Sequence, residues 1–167
     1  MKKHSIVLLA LGGIGGAVLT ALIFIVVQRP HPPAHRAPFV TNILKATLHN
    51  TDYRRVLFTG TNSQLVVMSI PPGGEVGAEV HAYVEQILYF QSGSGEAILD
   101  GKTTPVGPGD VVVVPPGTEH NFINTGKVPL QITTTYAPAN HFDGLIERTK
   151  ADADANTADE NFSNAVR

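Results

Sequence analysis

Hydrophobic and polar positions divide the chain into three regimes. Residues 5–27, SIVLLALGGIGGAVLTALIFIVV, form an apolar run without a charge. As a helix this run would span roughly 34 Å, enough for a hydrocarbon core of about 30 Å. From residue 39 to 140 the pattern changes to short apolar or alternating runs broken by Gly and Pro. That rhythm predicts short strands of an all-β sandwich or barrel. Residues 141–167 lose both periods and become polar, rich in Asp, Ala and Asn, which predicts a partly helical or disordered tail.

Within the middle regime the predicted strands are 39–48, 53–59, 64–70, 79–82, 86–91, 95–100, 102–106, 111–114, 120–124 and 130–136. Asn50-Thr51-Asp52, Gly60-Thr61-Asn62, Pro71-Pro72-Gly73-Gly74 and Asp100-Gly101 supply the turns. The four consecutive valines of 111–114 read as a fully buried strand. Helix is expected to be nearly absent outside the first apolar run.

That run sits between a basic N-terminus at 1–4, with Lys2, Lys3 and His4, and a Pro-rich linker at 28–38, QRPHPPAHRAP. A secretory signal has an apolar region of about 7–15 residues and a small-residue cleavage site. This run is longer, and Gln28-Arg29-Pro30 follows without such a site. A retained single-pass transmembrane anchor is therefore the expectation, with a cleaved signal as the alternative. The amine, Lys2 and Lys3 set against Arg29 and Arg36 place the N-terminus in the cytoplasm and the barrel on the extracytoplasmic side. Gly12 and Gly16 form a G-x-x-x-G, a weak basis for a homodimer. The linker prolines favour an extended spacer. His31 and His35 within it lack a third ligand and read as solvated.

Composition narrows the function classes only a little. A formal charge of −2 and 16% charged residues argue against a nucleic-acid partner. Cysteine is absent, which excludes a disulfide scaffold, a thiol nucleophile and a Cys-type zinc site.

The candidate chemistry begins at 109–124, GDVVVVPPGTEHNFIN. Pro115, Pro116 and Gly117 end one strand and turn the chain, and His120 opens the next with Phe122 and Asn124 on its face. A histidine just past a rigid turn is placed to ligate a metal; the alternative is a histidine satisfied inside a barrel. This stretch resembles the second motif of the cupin superfamily, G-x5-P-x-G-x2-H-x3-N. Residues 73–93, GGEVGAEVHAYVEQILYFQSG, resemble the first motif, G-x5-H-x-H-x3,4-E-x6-G. The resemblance covers roughly 57–137 and implies a double-stranded β-helix, or jelly roll. It maps the family's four metal-ligand positions onto Glu79, His81, Gln86 and His120. Counting back from Gly93 selects Gln86 over Glu85, and strand parity agrees, since Gln86, Leu88 and Phe90 share one face.

Two of these positions depart from the family's three histidines and one glutamate. Glu79 replaces a histidine and Gln86 replaces the glutamate, so the set still brings one negative charge. Two imidazoles and a carboxylate suit a divalent ion such as Fe, Mn, Ni or Zn, with Gln86 as a weak oxygen ligand or a donor to bound water. Glu85 and Tyr83, in the same loop, are the candidates for proton transfer. GTNSQLVVMSIPPG and HFDG…RTKADADA look similar to a cupin subgroup likened to mannose-6-phosphate isomerase. The resemblance thus implies a small polar, sugar-like ligand, with an Fe(II) oxygenase or a non-catalytic sensor module as alternatives. His141, beyond the barrel, is expected at the surface.

Overall fold

A computed structural model describes residues 36–166. The run expected to be a transmembrane segment, Gly12 and Gly16, and His31 and His35 lie outside the described residues. Among the described residues no helix is long and apolar enough to cross a membrane.

Among the described residues ten strands form two antiparallel sheets. In chain order they are β1 (Arg54–Thr59), β2 (Gln64–Ile70), β3 (Glu79–Val80), β4 (Glu85–Ser92), β5 (Gly95–Leu99), β6 (Lys102–Val106), β7 (Val111–Val114), β8 (Glu119–Ile123), β9 (Leu130–Ala137) and β10 (Ile146–Glu147). The larger sheet runs β10-β1-β2-β9-β4-β7 and the smaller β3-β8-β5-β6. Alternation drives the layering: Val66, Met68 and Ile70 of β2, Leu88 and Phe90 of β4, and Ile132 of β9 point inward from the large sheet. They meet Ala97 and Phe122 of the small sheet in one core. This is the expected jelly roll of two packed sheets.

Register decides where the polar residues fall. Gln64 and Gln86 both pair with Tyr136, so these three inward-facing residues form one row at the end of the large sheet. Glu79 pairs with His120 at the matching end of the small sheet. The apolar core lies below, and the polar groups collect at one end of the sandwich.

Four expectations are corrected. The 39–48 stretch holds no strand; it contains the helix α1 (Ile43–Leu48). Asn42 caps it by accepting from the Lys45 N–H at 2.9 Å, and that local bond outweighs the β-branched residues that follow. α1 packs on the outer face of the large sheet, where Thr47 Oγ1 and Thr133 Oγ1 share a hydrogen bond of 2.6 Å.

The valine strand is not fully buried. β7 is an edge strand, so Val111 and Val113 project outward at 46% and 48% exposure while Val114 enters the core.

Helix is not nearly absent: the tail takes the partly helical form of its two expected ones, with α2 (Lys150–Ala155) and α3 (Thr157–Ala165) following β10. Thr149 and Asp152 form a reciprocal capping box on α2, and Asn156 caps α3. Helix outside the N-terminal run is thus present as three short elements among the described residues.

His141 is not at the surface. It is 5% exposed, held beneath α3 by Asp159.

Candidate metal centre

The Pro-Gly turn after β7 brackets the site. Gly117 takes φ 84°, a left-handed conformation that suits glycine, and its N–H donates to the His81 carbonyl at 2.8 Å. His81 itself lies just past the end of β3. Asn121, on the opposite face of β8 from His120, donates to Glu75 Oε2 at 2.7 Å and accepts from the Gly77 N–H at 2.8 Å. It thereby fixes the loop that delivers Glu79. Each candidate ligand is positioned by a different local device, and all of them converge.

Glu79 Oε1 lies 3.3 Å from both His81 Nε2 and His120 Nε2. The ligand atoms of Glu79, His81 and His120 all fall within 4.8 Å of one another. His120 Nδ1 lies 2.9 Å from the Thr118 carbonyl, which can only accept, so Nδ1 carries the proton and Nε2 presents its lone pair inward. His81 Nε2 is buried with no hydrogen-bond partner. Acceptor atoms facing one another need a proton or a cation between them. The donor set fits a divalent ion: two imidazoles and one carboxylate, with room for further ligands.

Electrostatics agrees. Burial alone would raise Glu79, but the His120 and His81 imidazoles against it hold its carboxyl well below the usual carboxylate range. Burial would likewise lower His120, but Glu79 and the Thr118 carbonyl hold its imidazole above the ordinary value.

Gln86 is where parity puts it. It is 2% exposed, and its Nε2 lies 3.2 Å from His120 Nε2 as a hydrogen-bond partner. Glu85 is exposed on the other face of β4, away from the triad. Tyr83 is 53% exposed. With His81, Val84, Ser163, Asn164 and Val166 it lines a small cavity of about 70 Å³ beside the triad. Of the two proton-transfer candidates, Tyr83 shares this cavity with His81 and Glu85 does not. A larger concavity, about 530 Å³, lies between 39–43 and the outward faces of Leu65, Tyr89, Gln91, Thr133 and Thr135. Neither histidine nor carboxylate lines it, whereas His81 of the triad lines the smaller opening.

The site also contains groups that sequence reasoning missed. Tyr136 stands edge-on to His81 with ring centroids 6.2 Å apart, and edge-on to His141 at 4.9 Å. His141 Nδ1 lies 2.7 Å from Asp159 Oδ2. Arg54, buried at the start of β1, donates from Nη1 to Glu147 Oε2 at 3.1 Å. The Arg54 charge reaches Glu79, Glu147 and Asp159 alike. Three carboxylates thus lie within the field of one buried guanidinium.

The cupin-domain family matches residues 66–136. A crystal structure from Bacillus halodurans superposes with a TM-score of 0.70 at 36% identity, covering 75% of this chain and 97% of that one. The chain belongs to the cupin superfamily. Among its relatives, the Bacillus subtilis protein YrkC is 42% identical over 123 residues, 70% of this chain and 66% of that protein. The chain therefore spans about two thirds of YrkC. An oxalate-binding protein of Thermotoga maritima is 36% identical over 64 residues, 38% of this chain and 53% of that protein. The cupin match covers β2 to β9 and so includes every triad residue, whereas Arg54, His141 and Asp159 fall outside it.

Proposed function

We propose that this cupin holds a divalent metal ion with Glu79, His81 and His120 and uses it to bind a small, oxygen-rich molecule. The observation that carries the reading is the convergence of three ligand atoms within 4.8 Å, one of them a buried imidazole nitrogen with no partner. Gln86 steers the His120 ring from the fourth family position. When bound, the ion would supply Lewis acidity at its open positions. The residues of the chain orient the ligand and exclude water around it. A cavity of about 70 Å³ admits only a few heavy atoms. The likeness to an oxalate-binding protein favours a compact anion over a whole sugar. Binding, rather than turnover, is the activity we favour, because Glu85 stands away from the triad and Tyr83 shares a cavity with His81 alone among its members. From the uncharged run at 5–27 we further propose that the barrel is tethered to a membrane.

The test is elemental analysis of the purified full-length chain, followed by calorimetric titration of the metal-free form with Mn(II), Fe(II), Ni(II) and Zn(II). One equivalent bound by the wild type, and none by a Glu79→Gln, His120→Ala double variant, is the expected outcome. Equal binding by both proteins would move the metal elsewhere and end this reading.

A further inference from the structure

The tail behind the barrel meets the metal centre through a series of rings. Asp159 of α3 is 3% exposed, with Oδ2 2.7 Å from His141 Nδ1 and Oδ1 accepting from the Phe142 N–H at 2.8 Å. Ser163, one turn later, donates to Asn140 Oδ1 at 2.9 Å, and the Phe162 ring packs on Phe142 with centroids 4.9 Å apart. α3 thus grips Asn140, His141 and Phe142 in succession. The His141 ring in turn stands edge-on to Tyr136 at 4.9 Å, and Tyr136 stands edge-on to His81 at 6.2 Å. Both separations fall where edge-to-face ring pairs attract.

The sheet register keeps this line in place. Gln64, Tyr136 and Gln86 form one inward row across β2, β9 and β4. At one end Gln64 clamps the His141 backbone, accepting from its N–H at 3.0 Å and donating to its carbonyl at 2.7 Å. At the other end Gln86 lies against His120. Tyr136 is 3% exposed between them, and interiors pack so densely that a displaced ring displaces its neighbour. His81 needs such a support. It lies outside the strands, and the bond from the Gly117 N–H to its carbonyl holds the peptide rather than the ring. His120, by contrast, sits within β8 with its ring tied to the Thr118 carbonyl. The end of α3 also borders His81, since Ser163, Asn164 and Val166 line the same small cavity.

We propose that the C-terminal tail positions the metal ligand His81, with α3 holding His141, His141 backing Tyr136, and Tyr136 setting the plane of the His81 imidazole. The packing stands by itself; its consequence for an ion rests on the metal-centre reading above. Asp159 and His141 lie outside the matched cupin region of 66–136, so this support is added to the barrel from beyond it. Both are positioning residues, acting on the site only through Tyr136. A partner behind a ligating histidine is worth about 10–100-fold in metal affinity.

The experiment follows the histidine ring signals of the metal-free, isotope-labelled full-length chain by NMR, with His81 and His120 assigned through their own substitutions. His141→Ala and His141→Phe are each made together with Asp159→Asn, so that no bare carboxylate is left and the two differ only in the ring. The alanine variant should shift or broaden the His81 signals and leave those of His120 in place. The phenylalanine variant should stay with Asp159→Asn alone. Tyr136→Leu should displace His81 in the same way and Tyr136→Phe should not, which keeps the test open if the alanine variant fails to fold. Co(II) added to the same samples should bind at least about tenfold more weakly to the alanine variant and to Tyr136→Leu, with altered visible absorption. Unmoved His81 signals, His120 signals that move as far as those of His81, or like behaviour of the alanine and phenylalanine variants would overturn the proposal. A wild type that binds Co(II) while His81 stays put in the variants removes only the positioning role. His81 displaced in a protein that binds no Co(II) removes the metal centre and keeps the packing.

Discussion

Glu79 and His120 sit directly opposite one another in the β3–β8 ladder, and their side chains meet with Glu79 Oε1 3.3 Å from His120 Nε2. A carboxylate and an imidazole lone pair are thus aimed at one point from two strands. His81 adds a third candidate ligand from just beyond β3.

Removing any one of the three should therefore be costly for metal binding. His81→Ala and His120→Ala each delete a strong ligand, and Glu79→Gln deletes the only carboxylate of the triad. Each should lower Mn(II) affinity beyond the about 10–100-fold that loss of an outer partner costs. Calorimetry on the three variants is the measurement, and a variant that keeps wild-type affinity is not a ligand.

Proton and metal compete for the same point. Glu79 is held below its ordinary value, so its contribution to stability is present above about pH 4.3 and is lost as pH falls through its folded value. His120 is held above its ordinary value, so its contribution is complete below about pH 6.5 and is lost as pH rises through its folded value. In metal-free protein the melting-temperature gap between wild type and Glu79→Gln should be wider at pH 5.5 than at pH 8.5. His141 has the opposite sign, its lowered value favouring high pH, but it is common to both proteins and cancels in the gap. Mn(II) affinity should run the other way and strengthen with pH, by up to about tenfold per unit while His120 gives up its proton.

Chelation follows from the same linkage. An ion that binds only the folded barrel stabilises it by RT ln(1 + [M]/Kd), about 2.7 kcal/mol at a hundredfold excess over Kd. For a domain of this size that corresponds to a melting-temperature loss on the order of 10 °C when the ion is removed. Scanning calorimetry before and after chelation, with metal content verified, checks it. A melting temperature that does not move counts against the site.

What could be read from the sequence was what the chain encodes over short distances. The Pro115-Pro116-Gly117 turn, the placing of His120 behind it and the inward face of Gln86 are all fixed by residues within a few positions. What could not be read depends on returns from far away. His141 looks like a loop histidine until α3 brings Asp159 back to it across 18 residues. Arg54 is hidden because β1 acquires its partner Glu147 only through β10, 93 residues later. The caps at Asn42, Thr149 and Asn156 were available as local signals for all three helices. The valine run was misjudged because four like residues carry no information about which face is covered, and β7 has an open edge.

The proposed membrane tether makes a separate prediction. Full-length protein should remain with membranes through carbonate and high-salt washing, because the uncharged run at 5–27 is long enough to span. The barrel should be cut by protease added to the extracytoplasmic side, as the Lys2 and Lys3 bias requires. A mature N-terminus beyond Val27 would replace the anchor with a cleaved signal.

Gln86 and Glu85 offer the sharpest test of the ligand register, since they are adjacent and face opposite ways. Gln86 touches His120 across 3.2 Å, whereas Glu85 is exposed. Gln86→Ala removes a hydrogen bond to a ligand and should cost about tenfold in Mn(II) affinity. Gln86→Glu puts a second carboxylate beside the triad, at the position where the family carries its glutamate, and should tighten binding. It should also make the metal-free protein less stable at neutral pH, because two buried carboxylates then face one another without the ion. Glu85→Gln should leave both affinity and stability nearly unchanged. The opposite pattern, with metal lost in Glu85→Gln and kept in Gln86→Ala, would mean that the strand presents its other face to the ion, and the triad would need a different fourth partner.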